Sequence, residues 1–463
     1  MTGRALRLRF TRATIARTSA LWLAAAALAA TAQAAPPEIL VTVGEVTDTT
    51  AIVWARGRSA GRIDVAYRPE GAAGERTASI DASAARDLTG KVVLTGLAPG
   101  SRYRYRLAQD GARVEGTFVT APRPSDAAPV RLAWSGDLGS RTQCRHVTDG
   151  YPIFRALARV PADFFVFVGD TVYGDHPCGG PDRVPGYDFI ATTVPEYRAK
   201  HRYNREDAGV QAYFRSLSVY AIWDDHEVKN DFSGPSERLM PIGREAFIDY
   251  FPIVPPVEEP GRLYRKFRWG RLVELFILDT RQYRSPNSER DGPAKTMLGA
   301  AQKQWLIDSV TSSTATWKLV VSSVSLSVPT GGRNHDSWSN ANALGFPEDN
   351  GTGFAVERDA ILRALREGGV KNLVVLAADV HHAEVIRHHP TPWWSFHEMI
   401  AGPLSASFGR PRPLDMELVP KSLFALGGVE NFAALSVDES GLTVRVVDVA
   451  GTERYSHRIP PER

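Results

Sequence analysis

Four apolar runs in this chain each end in a cluster of acidic residues, and no other feature limits the fold as much. They are Leu132-Ala-Trp-Ser-Gly-Asp137, Phe164-Phe-Val-Phe-Val-Gly-Asp170-Thr-Val-Tyr173, Val219-Tyr-Ala-Ile-Trp-Asp224-Asp225-His226-Glu227 and Leu373-Val-Val-Leu-Ala-Ala-Asp379-Val-His381-His382. Short continuous apolar runs bounded by turn residues read as buried strands of an α/β sheet. Residues just past the carboxyl ends of such strands converge on one crevice. Carboxylates gathered there repel one another unless cations sit between them, so the pattern points to a metal site.

The rest of the chain divides by texture. Residues 1–34 read as a cleaved leader. Five arginines and no acid precede the apolar stretch Ala20–Ala30, which is short for a membrane span, and Ala32-Gln-Ala34 fits small-residue cleavage. There is no twin-arginine pair, so export by the general secretion route to the periplasm or medium is expected. No membrane anchor remains after cleavage. The whole chain has 55 Lys and Arg against 52 Asp and Glu. Without the leader it is close to neutral, which excludes a bulk-charge nucleic-acid binder. Nothing indicates an oligomer, and a monomer is expected.

Residues 36–122 carry alternating runs between Gly, Pro and Ser clusters. They predict an all-β domain, and Leu94-Thr-Gly-Leu-Ala-Pro-Gly-Ser-Arg-Tyr-Arg-Tyr105 is similar to a fibronectin type III turn and strand. A Pro-rich linker follows. Residues 128–463 alternate strand and helix patterns, giving an α/β catalytic domain. The Gly-, Asn- and Ser-rich segment 329–355 has no periodicity and reads as a functional loop or lid.

Within the four clusters, Asp137, Asp170, Tyr173, Asp225, Asp379 and His381 are the metal-ligand candidates. Tyr173 suits a hard trivalent ion, because a phenol must lose its proton to bind. Alternation on an extended segment assigns Asp225 to metal and Asp224 to the loop. The same rule places Asp379 and His381 on one side. His226 then stands beside the metals as a proton donor or transition-state stabiliser. Arg281, in Asp279-Thr-Arg-Gln-Tyr283, either clamps an anionic substrate or locks Asp279 in a buried pair. Cys144 is either a metal thiolate or the partner of Cys178. An oxidising compartment favours the disulfide.

Taken together, Gly169-Asp-Thr-Val-Tyr173, Trp223-Asp-Asp-His-Glu-Val228, Leu278-Asp-Thr-Arg-Gln-Tyr-Arg284 and Asp379-Val-His381 resemble the PhoD-like alkaline phosphatases, within the calcineurin-like metallophosphoesterases. The resemblance implies a four-layer α/β/β/α sandwich behind the N-terminal β-domain. It implies hydrolysis of phosphate esters by hydroxide held on two or three metal ions, Fe³⁺ and Ca²⁺, with Asp170 bridging metals and Tyr173 on iron. The family's first motif places a Cys after the first strand, where this chain has Asp137. Two other readings stay open. One is a phosphodiesterase of phospholipase D type, with Trp338, Trp393 and Trp394 forming an apolar rim. The other is a catalytically dead secreted binding protein.

Overall fold

The five-residue strands Phe164–Val168, Ser218–Ile222 and Leu373–Ala377 are buried at every position. Strands covered on both faces need no polar alternation, which is why they read as unbroken apolar runs. In the computed structural model, residues 39–462 are described, and all of them belong to one compact unit. The leader expected at residues 1–34 lies outside the described residues. Among the described residues, no helix is long and apolar enough to cross a membrane.

The described strands form three sheets. At the centre of the first sheet, Val130–Ser135, Phe164–Val168, Ser218–Ile222 and Leu40–Gly44 pair in parallel in that order. The C-terminal meander Asn431–Asp438, Gly441–Asp448 and Glu453–Ile459 extends one edge. In the second sheet, Val273–Ile277, Trp317–Val321, Leu373–Ala377 and Trp394–Ile400 are parallel neighbours. Alternate residues of the two sheets share one core. Leu132, Trp134, Phe164 and Val166 of the first pack with Leu319, Val321, Val374 and Leu376 of the second.

Helices cover both outer faces. Ala208–Phe214 places Phe214 against Phe165 and Phe167, and Phe154 of Ile153–Leu157 packs on Phe214. Gly299–Thr311 and Ala355–Glu367 pack on Phe276, Val320 and Val375. The architecture is therefore the four-layer α/β/β/α sandwich.

The N-terminal strands form their own sandwich. Leu40–Gly44, Ala51–Arg56 and Thr89–Leu94 share a core with the four-stranded sheet that contains Gly61–Pro69 and Arg102–Gln109. The first sheet does not stop at the Pro-rich segment near residue 122. Val43 pairs with Ser218 and Gly44 with Val219, so one sheet runs through both regions.

Two helices, Val194–Arg205 and Met240–Tyr250, have no counterpart in the sequence reading. The first buries Arg198, Lys200, His201, Asn204 and Arg205. Its inward stripe is polar, so hydropathy periodicity does not reveal it. A capping box at Thr193 and Glu196 starts it.

Candidate metal centre

The chain reverses sharply where each strand ends, and it does so on the candidate ligands themselves. Asp137, Asp170, Asp379 and His381 have φ of 64°, 48°, 69° and 58°. Such left-handed residues cost roughly 1 kcal/mol or more each, and this strain concentrates at functional sites. Close packing holds the turns in place. A Cβ on Gly136 would lie 2.6 Å from the Val168 carbonyl oxygen, and one on Gly169 would lie 2.6 Å from the Asp224 Cβ. Asp379 and His381 reach one cleft through two left-handed residues rather than strand alternation, and they fall in different donor groups. Alternation also fails for Asp224 and Asp225, which lie past the strand end at Ile222, with Asp225 in a bend.

Of five overlapping donor groups among the described residues, each with its ligand atoms within 4.8 Å of one another, three make up the centre. They are Asp137, Asp170 and His381; Asp170, Asp225 and His226; and Asp224, Asp225 and Asp379. Asp170 joins the first two groups and Asp225 joins the last two. Tyr173 completes the cluster, its hydroxyl 3.1 Å from His381 Nε2. The Ser407 carbonyl accepts from His381 Nδ1 at 2.5 Å, which leaves Nε2 as the electron-pair donor.

The cluster fits cations. Both Asp137 carboxylate oxygens, Asp225 Oδ1, Asp379 Oδ2 and Asp224 Oδ2 are buried without a hydrogen-bond partner. Buried carboxylate oxygens left unpaired are costly, and hard oxygen donors suit hard metal ions. Burial, reinforced by neighbouring carboxylates, pushes Asp137, Asp170 and Asp379 well above the usual carboxylate range. Burial and Asp170 also raise the Tyr173 phenol. Asp225 behaves differently. Burial raises it, but Arg281, His226 and the Asp231 amide outweigh burial and hold it below the usual range. Burial pushes His381 down to about 4. His226 rises to about 9, because Asp225 and Asp175 outweigh its burial.

An outer layer of polar groups fixes these residues. Glu227 accepts from Thr171 N and Oγ1, each at 2.6 Å, and from Asp224 N at 2.9 Å, tying two strand-end loops together. Asp224 Oδ1 accepts from Arg281 Nε and Ser323 Oγ, both at 2.6 Å.

Arg281 corrects the sequence reading. Its side chain is 0% exposed, and its guanidinium is spent on Asp224 and, through two bonds of 2.8 and 2.7 Å, on Asp336. It does not face the cleft and cannot clamp a substrate there. Nor does the guanidinium bond Asp279, which instead accepts from Trp223 Nε1 and two backbone amides.

Cys144 is bonded to Cys178, with Cα atoms 6.1 Å apart, so it offers no thiolate to a metal. Closing this loop stabilises the fold by about 4 kcal/mol on chain-entropy grounds. The double variant Cys144→Ser, Cys178→Ser should lose about that much in chemical denaturation while keeping its metal content. Loss of metal at full stability would restore the thiolate reading.

The centre opens into a cleft of about 300 Å³ lined by Asp170, Tyr173, Asp225, His226, Asp379 and His381. Asp137 lies beneath, fully buried. Trp338, Trp393 and Trp394 do not line it. Trp338 and Trp394 pack in the core and Trp393 is 91% exposed, while Phe408 is the aromatic residue at the cleft besides Tyr173. Thr330 and Gly331 bring the start of the long loop to the cleft wall.

The sequence reading missed Asp175, which takes His226 Nδ1 at 2.7 Å and Asn230 N at 2.8 Å. Its signal was its place two residues past Tyr173. Arg141, Arg412 and Ser407, also on the cleft wall, lie on loops outside the acidic clusters and carry no such signal.

Residues 138–437 match the family model of the PhoD-like phosphatase, and residues 23–122 match the PhoD-like phosphatase N-terminal domain. Alkaline phosphatase D of Bacillus subtilis (strain 168) is 27% identical over 321 residues, covering 62% of this chain and 52% of that protein. The chain thus spans about half the length of this curated relative. A solved structure of PhoD superposes with a TM-score of 0.74 at 20% identity, over 92% of this chain and 89% of that one. A purple acid phosphatase, PPD1 from yellow lupin (Lupinus luteus) seeds, gives 0.62 at 13% identity, over 92% and 75%. These two structures share the fold. With its catalytic-region model covering more than half of the sequence, the chain belongs to the PhoD-like phosphatase family.

Proposed function

We propose that the protein is an exported, metal-dependent hydrolase of phosphate esters. The observation that carries this reading is the set of buried, unpaired carboxylate oxygens converging from separate strand ends beneath an open cleft. Asp137, Asp170, Tyr173, Asp225, Asp379 and His381 hold the metals, proposed as Fe³⁺ and Ca²⁺. Bound there, such cations polarise phosphoryl oxygens and acidify water.

The chain's own groups do the rest. The Ser407 carbonyl fixes the His381 tautomer. Asp175 holds His226 by Nδ1 and leaves Nε2 as the free edge facing the phosphoryl group. In the reaction, water releases one proton to solvent and its oxygen bonds to phosphorus as the ester P–O bond breaks. The leaving alkoxide takes a proton, which His226 is placed to give. Arg141 and Arg412 add positive charge to a cleft whose floor is acidic.

His226→Ala should lower kcat about 100-fold or more with metal content unchanged. Metal loss in that variant would reassign His226 as a ligand. Hydrolysis of p-nitrophenyl phosphate, its bis ester and phosphatidylcholine by the purified protein tests the reading itself. A protein that holds metal and cleaves none of the three would instead be a binding protein.

A further inference from the structure

A second cavity of about 600 Å³ adjoins the cleft. Pro329, Ala341, Ala343 and Pro413 give it apolar walls, and Arg333 and Arg412 give it charge. Thr330 and Arg412 line both spaces, so the two meet across that pair. This wall is fixed to the core. Asp336 N donates to the Thr330 carbonyl at 3.1 Å, and the Asp336 carboxylate is gripped by Arg281 and Arg284.

The two arginines of the second cavity contrast with the buried ones. Arg281, Arg284 and Arg358 are consumed by buried carboxylates. Arg333 and Arg412 are exposed, and no ion pair engages either among the described residues. Arg412 donates only to the Pro329 carbonyl, at 3.3 Å, and stands close enough to His381 to help depress its pKa. Glu348 also lines the cavity, leaving two guanidinium groups against one carboxylate. The Thr330 hydroxyl has no hydrogen-bond partner. Unpaired guanidinium groups on an apolar-walled space are suited to bidentate capture of phosphate or carboxylate.

We propose that this second cavity receives the alcohol half of the ester, and that this half carries an anionic group of its own. The preferred substrate is then a doubly anionic phosphate ester. Its reacting phosphoryl group lies over the acidic centre, its carbon skeleton lies against Pro329, Ala343 and Pro413, and its distal anion lies on Arg333 and Arg412. The inference rests on the hydrolase reading and names the substrate class for it. A lone phosphate group needs only the first cleft, whereas the combined space falls in the range of sites that enclose a larger ligand.

Phosphonates resist hydrolysis and test this by binding alone. The purified, metal-containing protein is titrated calorimetrically with alkane-α,ω-bisphosphonates of increasing chain length and with the matching monophosphonates. At the spacer length that spans both spaces, the bisphosphonate should bind about tenfold tighter or better, the gain of a charge-assisted hydrogen bond to a guanidinium. Arg333→Gln should erase that gain, and so should Ala343→Trp, which fills the cavity without touching charge. Equal affinity of the two series at every length overturns the proposal, as does a gain that survives both substitutions. The hydrolase reading fails separately, through absent turnover of p-nitrophenyl phosphate, so the two failures are told apart.

Discussion

Asp170→Asn should abolish turnover, by roughly a thousandfold or more, without weakening the metal-free fold. Asp170 belongs to two of these three donor groups and links the one holding Asp137 and His381 to the one holding Asp225 and His226, so its carboxylate couples the two sides of the centre. Losing about 4 kcal/mol of transition-state charge stabilisation corresponds to a thousandfold in rate. The stability prediction runs the other way. In the metal-free folded chain, burial and the neighbouring carboxylates raise the Asp170 pKa well above its ordinary value. A group raised in this way favours the folded state at pH below its unfolded pKa, and that contribution is lost as pH rises through the folded value. In the metal-free folded state the Asp170 carboxyl must therefore either bear an unfavourable buried charge or take up a proton, and asparagine removes that cost. Denaturation with a chelator present should find Asp170→Asn as stable as the wild type or more so. With metal supplied, the order should reverse. Loss of stability in both conditions would mean that Asp170 is a structural residue.

Arg281→Met should destabilise the protein by about 3–5 kcal/mol, the usual cost of removing one partner from a buried ion cluster. The substitution keeps an unbranched apolar stem but removes the guanidinium, leaving Asp224 and Asp336 buried without their shared cation. Asp336 would keep Arg284 at 2.7 Å, so the loss falls chiefly on Asp224, next to the proposed metal ligand Asp225. The denaturation midpoint measures the effect. A variant of unchanged stability with a raised KM would return Arg281 to the substrate-clamping role that its burial now excludes.

The apolar strands and the acids at their ends were legible because both depend on local chemistry. Runs such as Phe164–Val168 are buried at every position, and their carboxylates follow within a few residues. Asp137, Asp170, Asp225, Asp379 and His381, which the structure gathers around one cleft, were therefore picked out as candidates from pattern alone. The reason given for their convergence was incomplete, since Asp170, Asp379 and His381 adopt left-handed conformations that no alternation rule describes. The role of Arg281 was hidden because its partner Asp336 lies 55 residues away on a segment without periodicity. Arg141, Ser407 and Arg412 were hidden because they come from loops that only the folded topology brings to the cleft. The helix Val194–Arg205 was hidden by its polar buried face.

The central claim is that donors far apart along the chain surround shared cations. Anomalous X-ray scattering from crystals of the purified protein tests it most directly. The account predicts at least two strong metal peaks within coordination distance of Asp137, Asp170, Asp225, Asp379 and His381, with Asp170 contacting more than one. An active crystalline enzyme whose carboxylates are bridged by water and protons alone would contradict it.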